Sequence, residues 1–374
     1  MHSALTAKTA TTVTLGSREL LSFVGTDYLG LAHHEEVRAA AQKAFEDFGV
    51  SASASRITTG NCTPHEHLEE ALAEFMGLES AVLLPSGGQA NLALMESLID
   101  NLDAILLDAD SHPTLVHSAR FNGARRLDYG AGDCTRLMAL LDRFWESRLA
   151  VVTDSVFPTT GRLAPLPDVL RHLPGDGLLL VDESHSLGIV GPQGRGAVSA
   201  FDLPTSQIVV SLSLAKGLGA FGGALIGPAS IIQSIKRRSE TYASTTPVPP
   251  AMAAAALKAL TILQAEPGRV QRLHRNIQKL HELGGLWGRQ PLGSCLPVLN
   301  RSFVDDKLGR RISAELLRRG VYVPFTQYPG TPLGGSLRFS ISSEHSEEQI
   351  ERLRQALVEI GVPDLMRGAD GGTG

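Results

Sequence analysis

The strongest constraint on the fold is the alternation of short apolar runs with helical periodicity through the first two-thirds of the chain. Strands of this length separated by helices indicate an α/β domain with a largely parallel sheet. The predicted strands are 81–84, 104–107, 126–129, 149–153, 178–181, 208–211 and 223–226. The predicted helices are 65–76, 89–98, 113–121, 134–145 and 167–172. Thr63 and Pro64 are expected to start the first helix, as a side-chain cap followed by proline.

The pattern changes after about residue 249, where helices begin to dominate. Helices are predicted at 250–263, 269–283, 307–319 and 347–360, with an apolar segment at 296–299 and strands at 321–325 and 336–341. This is typical of a smaller α+β domain. The expected division is an N-terminal segment 1–30, a large domain 31–249, a small domain 250–366 and a disordered tail 367–374.

The composition excludes several classes of function. A net charge of −5 gives no basic face for nucleic acid. No apolar run approaches the ~18–20 residues that a membrane span needs. Cys62, Cys134 and Cys295 are scattered, so we expect reduced thiols rather than disulfides. The first residues lack the apolar core of a signal peptide, and a cytoplasmic protein is expected.

Two segments carry the chemically most informative side chains. Lys216 follows a predicted strand within a run of small residues, which leaves room for a planar aldehyde beside the amine. Asp182 ends an earlier strand, and His185 comes three residues later. This arrangement predicts a pyridoxal phosphate (PLP) enzyme, with Lys216 bonded to the cofactor and Asp182 on the pyridinium nitrogen.

A phosphate cradle is predicted where Ser86, Gly87 and Gly88 follow one strand and open a helix. Glycines allow close backbone approach, and a helix N-terminus offers free N–H groups and a positive dipole end. The hydroxyls of Ser213 and Thr246 could reach the same phosphate. Taken singly, each of these residues is typical of an ordinary turn or loop. Their order along the chain favours a ligand site, because open α/β sheets bind ligands at the ends of their strands.

Other interpretations of the same residues are weaker. His112 begins a helix and could stack on the cofactor ring, although a single histidine there is commonly a cap. The segment at Asp182 also resembles the acidic box of an ATPase, but the chain has no Gly-x-x-x-x-Gly-Lys-Ser/Thr segment. A metal site formed by Asp182, His185 and Asp108 or Asp110 lacks a compact ligand set, so no metal is predicted.

Beyond these residues, the sequence resembles the α-oxoamine synthase family of fold-type I PLP enzymes over nearly its whole length. The motifs are Asp27-Tyr-Leu-Gly-Leu, Ser53-Ala-Ser-Arg-Ile-Thr-Thr-Gly-Asn61, Ser86-Gly-Gly, Ser111-His112, Asp182-Glu-Ser-His185, Gly191-Pro-Gln-Gly-Arg-Gly196, Ser213-Leu-Ala-Lys216 and Leu337-Arg338-Phe-Ser. The resemblance implies a mostly parallel seven-stranded sheet flanked by helices, a smaller C-terminal α+β domain and a homodimer that shares its active sites.

The resemblance also implies a reaction and a role for each matching residue. An acyl-CoA or acyl-carrier thioester would condense with an α-amino acid or S-adenosylmethionine to give an α-aminoketone. The implied catalytic residues are Lys216, His112, Asp182 and His185, with His185 on the phenolic oxygen. The implied cofactor-binding residues are Ser86, Gly87, Gly88, Asp154, Ser213 and, from the partner subunit, Thr246. The implied substrate-binding residues are Arg338 for the carboxylate, Thr26 and Ser55.

Three departures from the family pattern concern the substrates. Thr26 stands where the family usually has a carboxylate-binding Asn. Residues 157–162 read Phe-Pro-Thr-Thr-Gly-Arg, which loses two acids and gains a base. The segment before Thr26 is short, so part of the usual acyl-chain cover could be absent.

The motifs most resemble those of the quorum-sensing autoinducer synthases, in part because Ser184 replaces the Ala typical of 8-amino-7-oxononanoate synthases. That biotin-pathway enzyme remains an alternative. So does an aminotransferase or another amino-acid enzyme that transfers no acyl group. A protein that only binds the cofactor is disfavoured, because it would not need both Lys216 and Arg338.

Overall fold

The computed structural model of the chain describes residues 4–99, 101–130, 133–158, 160–287, 295–327 and 334–362. The strands are β1 Ala7–Lys8, β2 Thr12–Leu15, β3 Arg18–Ser22, β4 Ser80–Leu84, β5 Ala104–Asp108, β6 Arg125–Tyr129, β7 Leu149–Asp154, β8 Leu178–Asp182, β9 Ile208–Ser213, β10 Gly223–Gly227, β11 Val298–Ser302, β12 Val321–Tyr322, β13 Phe325–Thr326 and β14 Ser336–Ser340. The α-helices are α1 Glu35–Phe48, α2 Thr63–Met76, α3 Gly87–Ser97, α4 Pro113–Ser118, α5 Cys134–Arg143, α6 Leu166–His172, α7 Ala197–Ala200, α8 Ala229–Arg238, α9 Glu240–Ser244, α10 Pro250–Ala265, α11 Pro267–Leu283, α12 Asp306–Arg318 and α13 Glu347–Glu359. The disordered tail predicted at 367–374 lies outside the described residues.

The chain forms two compact units, each with its own sheets. The first unit comprises residues 1–33, 159–161 and 268–374 as far as they are described, and the second comprises 34–158 and 162–267. The helix α10 therefore belongs to the second unit, while the division into domains at residues 249 and 250 stays a proposal. None of the helices in the described ranges combines the length and apolar character that a membrane-spanning helix requires.

The second unit is built on a seven-stranded sheet with the order β4-β10-β9-β8-β7-β5-β6. All neighbouring strands run parallel except β10, which is antiparallel to both β4 and β9. The strands β5, β7 and β8 are buried along their whole length. Because both faces of such a strand are covered, its sequence is a continuous apolar run, and all seven strands predicted in this region are confirmed.

The helix α3 packs its inner face against this sheet. Ala90, Ala93, Leu94 and Met95 are fully buried. They share one core with apolar side chains from six strands, namely Val82, Leu84, Ile105, Leu107, Ala150, Val152, Leu178, Leu180, Val209 and Leu225. This packing fixes the position of the helix whose first residues form the predicted phosphate turn.

A short connection joins β9 to the antiparallel β10 and carries Lys216. Two backbone hydrogen bonds close it: Leu214 donates to the Gly222 carbonyl and Ala220 donates to the Leu214 carbonyl, both at 3.0 Å. The Lys216 carbonyl accepts from the Gly219 amide at 3.1 Å. The lysine therefore stands on a tight loop that the backbone itself holds closed.

The first unit contains two small sheets, with the orders β1-β2-β3-β12 and β11-β14-β13. The sequence predicted one strand at 321–325, but the structure divides it into β12 and β13, which belong to different sheets. Pro324 explains the division, because proline donates no hydrogen bond to a strand ladder. The strands β1, β2 and β3 were not predicted.

The start of α2 corrects one detail of the sequence analysis. The capping residue is Cys62, and Thr63 is already the first residue of the helix. The His65 ring accepts the Cys62 amide through Nδ1 at 3.1 Å, and its Nε2 lies 2.6 Å from the Val248 carbonyl oxygen. His65 thus satisfies the capping amide as Glu or Gln usually does three residues into a helix.

A second histidine, His345, is buried in the first unit with both ring nitrogens bonded. Its Nδ1 accepts the Ser342 amide at 2.9 Å, so Nε2 carries the proton and donates to the Ser22 carbonyl at 2.8 Å. The ring also stacks on Phe23 with centroids 4.6 Å apart. Burial lowers the pKa of His345 below its usual 6.5, against the smaller effect of these hydrogen bonds. A second proton would have no acceptor at Nδ1.

Acidification is therefore expected to destabilise the fold through His345. The unfolded chain binds the proton more readily, so the stability contributed by the neutral ring is present above pH 6.5 and is lost below it. The thermal unfolding midpoint should therefore decrease as the pH is lowered from about 7.5 to about 5.5. His345→Phe keeps the stacking surface and should lower the midpoint at neutral pH while reducing its dependence on pH. An equally steep pH dependence in the variant would contradict this assignment.

Candidate active site

Three neighbouring strands end in buried carboxyl groups at the same edge of the large sheet. Asp108 ends β5, Asp154 ends β7 and Asp182 ends β8, and their exposed fractions are 1%, 2% and 6%. The register of the β7–β8 pair places Asp154 directly beside Asp182. Parallel pairing thus gathers acids that are distant in sequence at one edge of the sheet, where open α/β sheets bind ligands.

Asp154 connects this edge to His112 and to the lysine loop. Its Oδ2 accepts the backbone amide of His112 at 2.7 Å. Burial raises the pKa of Asp154 well above its usual range, and the charge of Asp182 raises it further. The His112 hydrogen bond and the Lys216 ammonium group act in the opposite direction. Asp182 and Lys216 thus both lie within electrostatic reach of this one carboxyl group.

The carboxyl group of Asp182 receives one donor on each oxygen. The Ser184 amide donates to Oδ1 at 2.9 Å. The side-chain amide of Asn91, which is fully buried on α3, donates to Oδ2 at 3.3 Å. The backbone carbonyl of Asp182 also accepts the Ser155 hydroxyl at 3.0 Å. The acid at the end of β8 is therefore held by contacts from α3 and from its own turn.

The residue after Asp182, Glu183, is also a buried acid, and it anchors the loop that follows. Glu183 accepts the backbone amides of Ala197 and Val198, each at 2.8 Å, and the Ser186 hydroxyl. A Cβ at Gly196 would lie 2.0 Å from Glu183 Oε2, so only glycine fits there. Burial raises the pKa of Glu183. The motif at 191–196 thus packs closely against Glu183, the residue that follows β8, because Gly196 has no side chain.

At the predicted phosphate turn, three backbone segments lie close together: the start of α3, the end of β9 and the start of β10. Ser86 caps α3, its hydroxyl oxygen accepting the Gln89 amide at 3.2 Å. A Cβ on Gly87 would lie 3.3 Å from the Ser213 Cβ, and one on Gly223 would lie 2.3 Å from the Ser86 carbonyl carbon. Glycine is required at 223 because β10 touches the turn there. The free amides of a helix N-terminus therefore border Ser213, the last residue of β9.

Further contacts join the turn to the acids. The Ser184 hydroxyl accepts the Ser213 amide at 2.7 Å. On the other side, His112 Nδ1 lies 2.8 Å from the Thr114 hydroxyl, and a Cβ on Gly88 would be 3.2 Å from Thr114 Cγ2. A closed series of contacts results, which we call the contact circuit. Its members are Ser86, Gly87, Gly88, Ser213, Ser184, Asp182, Asp154, His112 and Thr114.

The structure thus brings together most of the site residues predicted in the second unit. Lys216 is half-buried in its loop, and His185 is 5% exposed in the turn after β8. Thr246 is exposed in the segment between α9 and α10, outside the circuit. Ser55 is also outside it, half-buried with its hydroxyl 3.4 Å from that of Thr58. The role of each remains a proposal.

Two predicted substrate residues belong to the first unit. Arg338 on β14 donates a side-chain hydrogen bond to the phenolic oxygen of Tyr28, which is 1% exposed. Burial raises the pKa of Tyr28 to about 12, so the phenol stays neutral at physiological pH. The backbone carbonyl of Thr26 accepts the Tyr28 amide at 2.9 Å. The motif beginning at Asp27 therefore provides a partner for the predicted carboxylate-binding arginine.

Sequence reasoning missed Asn91 and Thr114 and the contact that Ser184 makes. Asn91 left a signal, since it is a polar residue that interrupts the apolar run from Ala90 to Met95 in α3. Ser184 was noticed only as a difference from relatives, because its partner Ser213 is distant in sequence. Thr114 left no signal beyond a helix start. Among the described residues, no three His, Cys, Asp or Glu side chains are grouped as a metal site requires.

Ser184→Ala is expected to destabilise the protein, because the Ser213 amide would lose its acceptor. Leaving such a group unsatisfied costs about 1–3 kcal/mol. Denaturant unfolding of the cofactor-free protein would measure this loss. Ser97→Ala is a matched control: Ser97 is also fully buried, and its hydroxyl donates to the Leu94 carbonyl at 2.8 Å, away from the circuit. Equal or smaller losses in Ser184→Ala would contradict the structural role of this hydroxyl.

Comparison with protein families gives a match over most of the chain. The model of the family described as aminotransferase class I and II matches residues 19–357. An 8-amino-7-oxononanoate synthase of Nitrosococcus oceani is 35% identical over 349 residues, covering 92% of this chain and 93% of the relative.

Solved structures agree with this match. A serine palmitoyltransferase from S. paucimobilis, solved with PLP bound to myriocin, superposes with a TM-score of 0.88 at 27% identity, covering 96% of this chain and 93% of that one. An 8-amino-7-oxononanoate synthase from Francisella tularensis has a TM-score of 0.78 at 25% identity, covering 94% of this chain and 98% of that one.

Proposed function

This chain belongs to the aminotransferase class I and II family, as one of its α-oxoamine synthases, and we propose that it condenses an acyl thioester with an α-amino acid. It is a PLP-dependent acyltransferase by family. The contact circuit is the observation that supports the proposal, because it joins a glycine turn at a helix N-terminus to a fixed carboxyl group. The charge of Lys216, in the neighbouring loop, acts on Asp154 of the same circuit. The fold-type I architecture predicted from the sequence is confirmed.

The residues of the circuit fit PLP. The N-terminus of α3 would offer backbone amides to the phosphate, and the missing side chains at Gly87 and Gly88 let this turn pack closely against Ser213 and Thr114. Asp182 offers a carboxyl group to the ring nitrogen, and Lys216 offers an amine to the aldehyde. When bound, PLP supplies an acceptor for the electrons of the amino acid's α-carbon.

The chain's own groups would then bind the substrates and move protons. Lys216 would take the proton from the α-carbon of the amino acid and later return one. Asp182 would keep the ring nitrogen protonated, His112 would stack on the ring and His185 would bond its phenolic oxygen. Arg338, oriented by Tyr28, would hold the substrate carboxylate through two parallel hydrogen bonds.

The relatives' names guide the choice of substrates. In 8-amino-7-oxononanoate, the carbon that carries the amine and its methyl group correspond to alanine without its carboxyl group. The remaining seven carbons correspond to a dicarboxylic acyl group. Serine palmitoyltransferase joins serine to a long acyl group instead. We favour 8-amino-7-oxononanoate synthesis, supported by the 35% identity above. Autoinducer synthesis and S-adenosylmethionine as amine donor stay predictions.

A matrix of substrates tests the reaction and its specificity. Alanine, serine and S-adenosylmethionine would each be incubated with seven-carbon dicarboxylic and long-chain acyl-CoA. Free thiol release and product mass would be recorded. We expect thiol release matched by aminoketone, highest for alanine with the dicarboxylic thioester. Lys216→Ala should lower the rate by about 10²–10⁴-fold or more, because the proton-transferring amine is lost. Lys43→Ala, at an exposed lysine, is the control.

Two outcomes would contradict the proposal. An oxo acid formed without thiol release would indicate an aminotransferase, the alternative that the altered segment at 157–162 kept open. If the purified protein showed no cofactor absorbance band, the proposal that it uses PLP would be wrong.

We also propose that the working form is a homodimer in which Thr246 faces the partner's cofactor. Support comes from exposed apolar side chains at the end of α1 and beyond it, namely Phe45, Phe48, Val50 and Ile57. Sedimentation equilibrium should give twice the chain mass, and Val50→Asp with Ile57→Asp should weaken both association and PLP binding. Val304→Asp, at a residue 97% exposed in the first unit, should change neither. A fully active monomer would refute the dimer.

A further inference from the structure

We propose that Asn91 is a positioning residue: its side-chain amide orients the Asp182 carboxyl group for the ring nitrogen of the cofactor. This inference rests on the proposed function, since it needs PLP in the contact circuit. It adds a residue that none of the sequence motifs singled out.

The geometry assigns Asn91 a task that the turn of Asp182 does not perform. Rotation about the last side-chain bond of aspartate is soft, so one hydrogen bond leaves the plane of the carboxyl group poorly fixed. The Ser184 amide holds only Oδ1, at 2.9 Å. The Asn91 amide holds Oδ2, at 3.3 Å, and comes from a different element, α3. Two donors on two oxygens fix the plane.

The position of Asn91 on α3 also links two ends of the predicted site. The helix begins at Gly87 with the phosphate turn, and Asn91 follows four residues later, roughly 6 Å along the axis at 1.5 Å per residue. The same rigid helix therefore offers its N-terminal amides to the phosphate and one side-chain amide to Asp182. The spacing between the phosphate turn and the oriented carboxyl group is set by one element.

A structural role alone does not explain an asparagine here. Asn91 is fully buried between Ala90, Ala93 and Leu94, and its Oδ1 has no hydrogen-bond partner. Buried polar atoms without partners are uncommon, and an apolar side chain would suit this part of the core. The useful atom is the Nδ2 that faces Asp182. Retaining an unsatisfied oxygen to keep that donor is typical of a functional position.

Asn122 provides a matched control, since it is another buried asparagine that contacts α3. It is 3% exposed, donates to the Met95 carbonyl at 2.9 Å and accepts the Ala124 amide at 3.3 Å. The nitrogen and the oxygen of its side-chain amide are thus both hydrogen-bonded to backbone groups, and neither contacts Asp182. Asn122→Ala should lower thermal stability more than Asn91→Ala does, while leaving the affinity for PLP unchanged.

The decisive experiment compares PLP with its carbocyclic analogue, in which carbon replaces the ring nitrogen. Dissociation constants for both would be measured by absorbance titration of the cofactor-free full-length protein. Asn91→Ala should weaken PLP binding by about ten- to a hundredfold, the range for a hydrogen bond to a charged group. The analogue should bind the variant and the wild type equally, because it makes no contact that needs Asp182 oriented. Asn91→Leu keeps the size but removes the donor, and should bind PLP as weakly as the alanine variant.

Three results would overturn the inference. Equal weakening for PLP and the analogue would mean that Asn91 supports the fold rather than Asp182. Unchanged PLP binding in both variants would mean that Asp182 is oriented without it. A wild type that binds neither compound would overturn the proposed function itself, and this inference with it. If Asn91→Ala does not fold, Asn91→Ser replaces it in the same titrations.

Discussion

The parallel register of β7 and β8 is the constraint on which the site depends. It sets Asp154 directly beside Asp182, at the end of two strands buried on both faces. Two adjacent buried carboxyl groups repel one another, and the pKa of Asp154 rises as a result of burial and of that neighbour. The Lys216 ammonium group and the donors around both acids offset this cost. These groups favour the charged form of the buried acids even before any ligand is considered.

Much of this arrangement could be predicted from the sequence, because fully buried parallel strands leave continuous apolar runs. Six apolar runs, together with the mixed run at 126–129 that forms the partly exposed β6, gave the large sheet. Residues at the ends of these runs gave Asp182, His112 and the phosphate turn. The N-terminal strands β1, β2 and β3 were missed because they are short and partly exposed, and β3 pairs with β12 some three hundred residues away. The helix α1 was also missed. Only Val37 and Ala44 are buried on it, so it carries little apolar periodicity.

The contacts between side chains that are distant in sequence could not be predicted. Asn91 and Asp182 meet only because α3 packs against the large sheet, to which β8 also belongs. The altered segment at 157–162 shows the same limit. Its arginine was noted only as a gained base, and the structure places the Arg162 guanidinium over the Phe157 ring at 4.2 Å, within the same short hairpin. This base therefore has an aromatic neighbour from its own hairpin.

The reversed direction of β10 has a consequence for how such an enzyme can change over evolution. Because Lys216 stands between two antiparallel neighbours, its loop is stitched by backbone hydrogen bonds and crowded at Gly217, where a Cβ would lie 2.2 Å from the Leu187 carbonyl oxygen. Any side chain at Gly217 would collide with that carbonyl group, so this position requires glycine. We therefore expect changes in substrate choice to arise outside this loop, while the glycine beside the lysine stays constant.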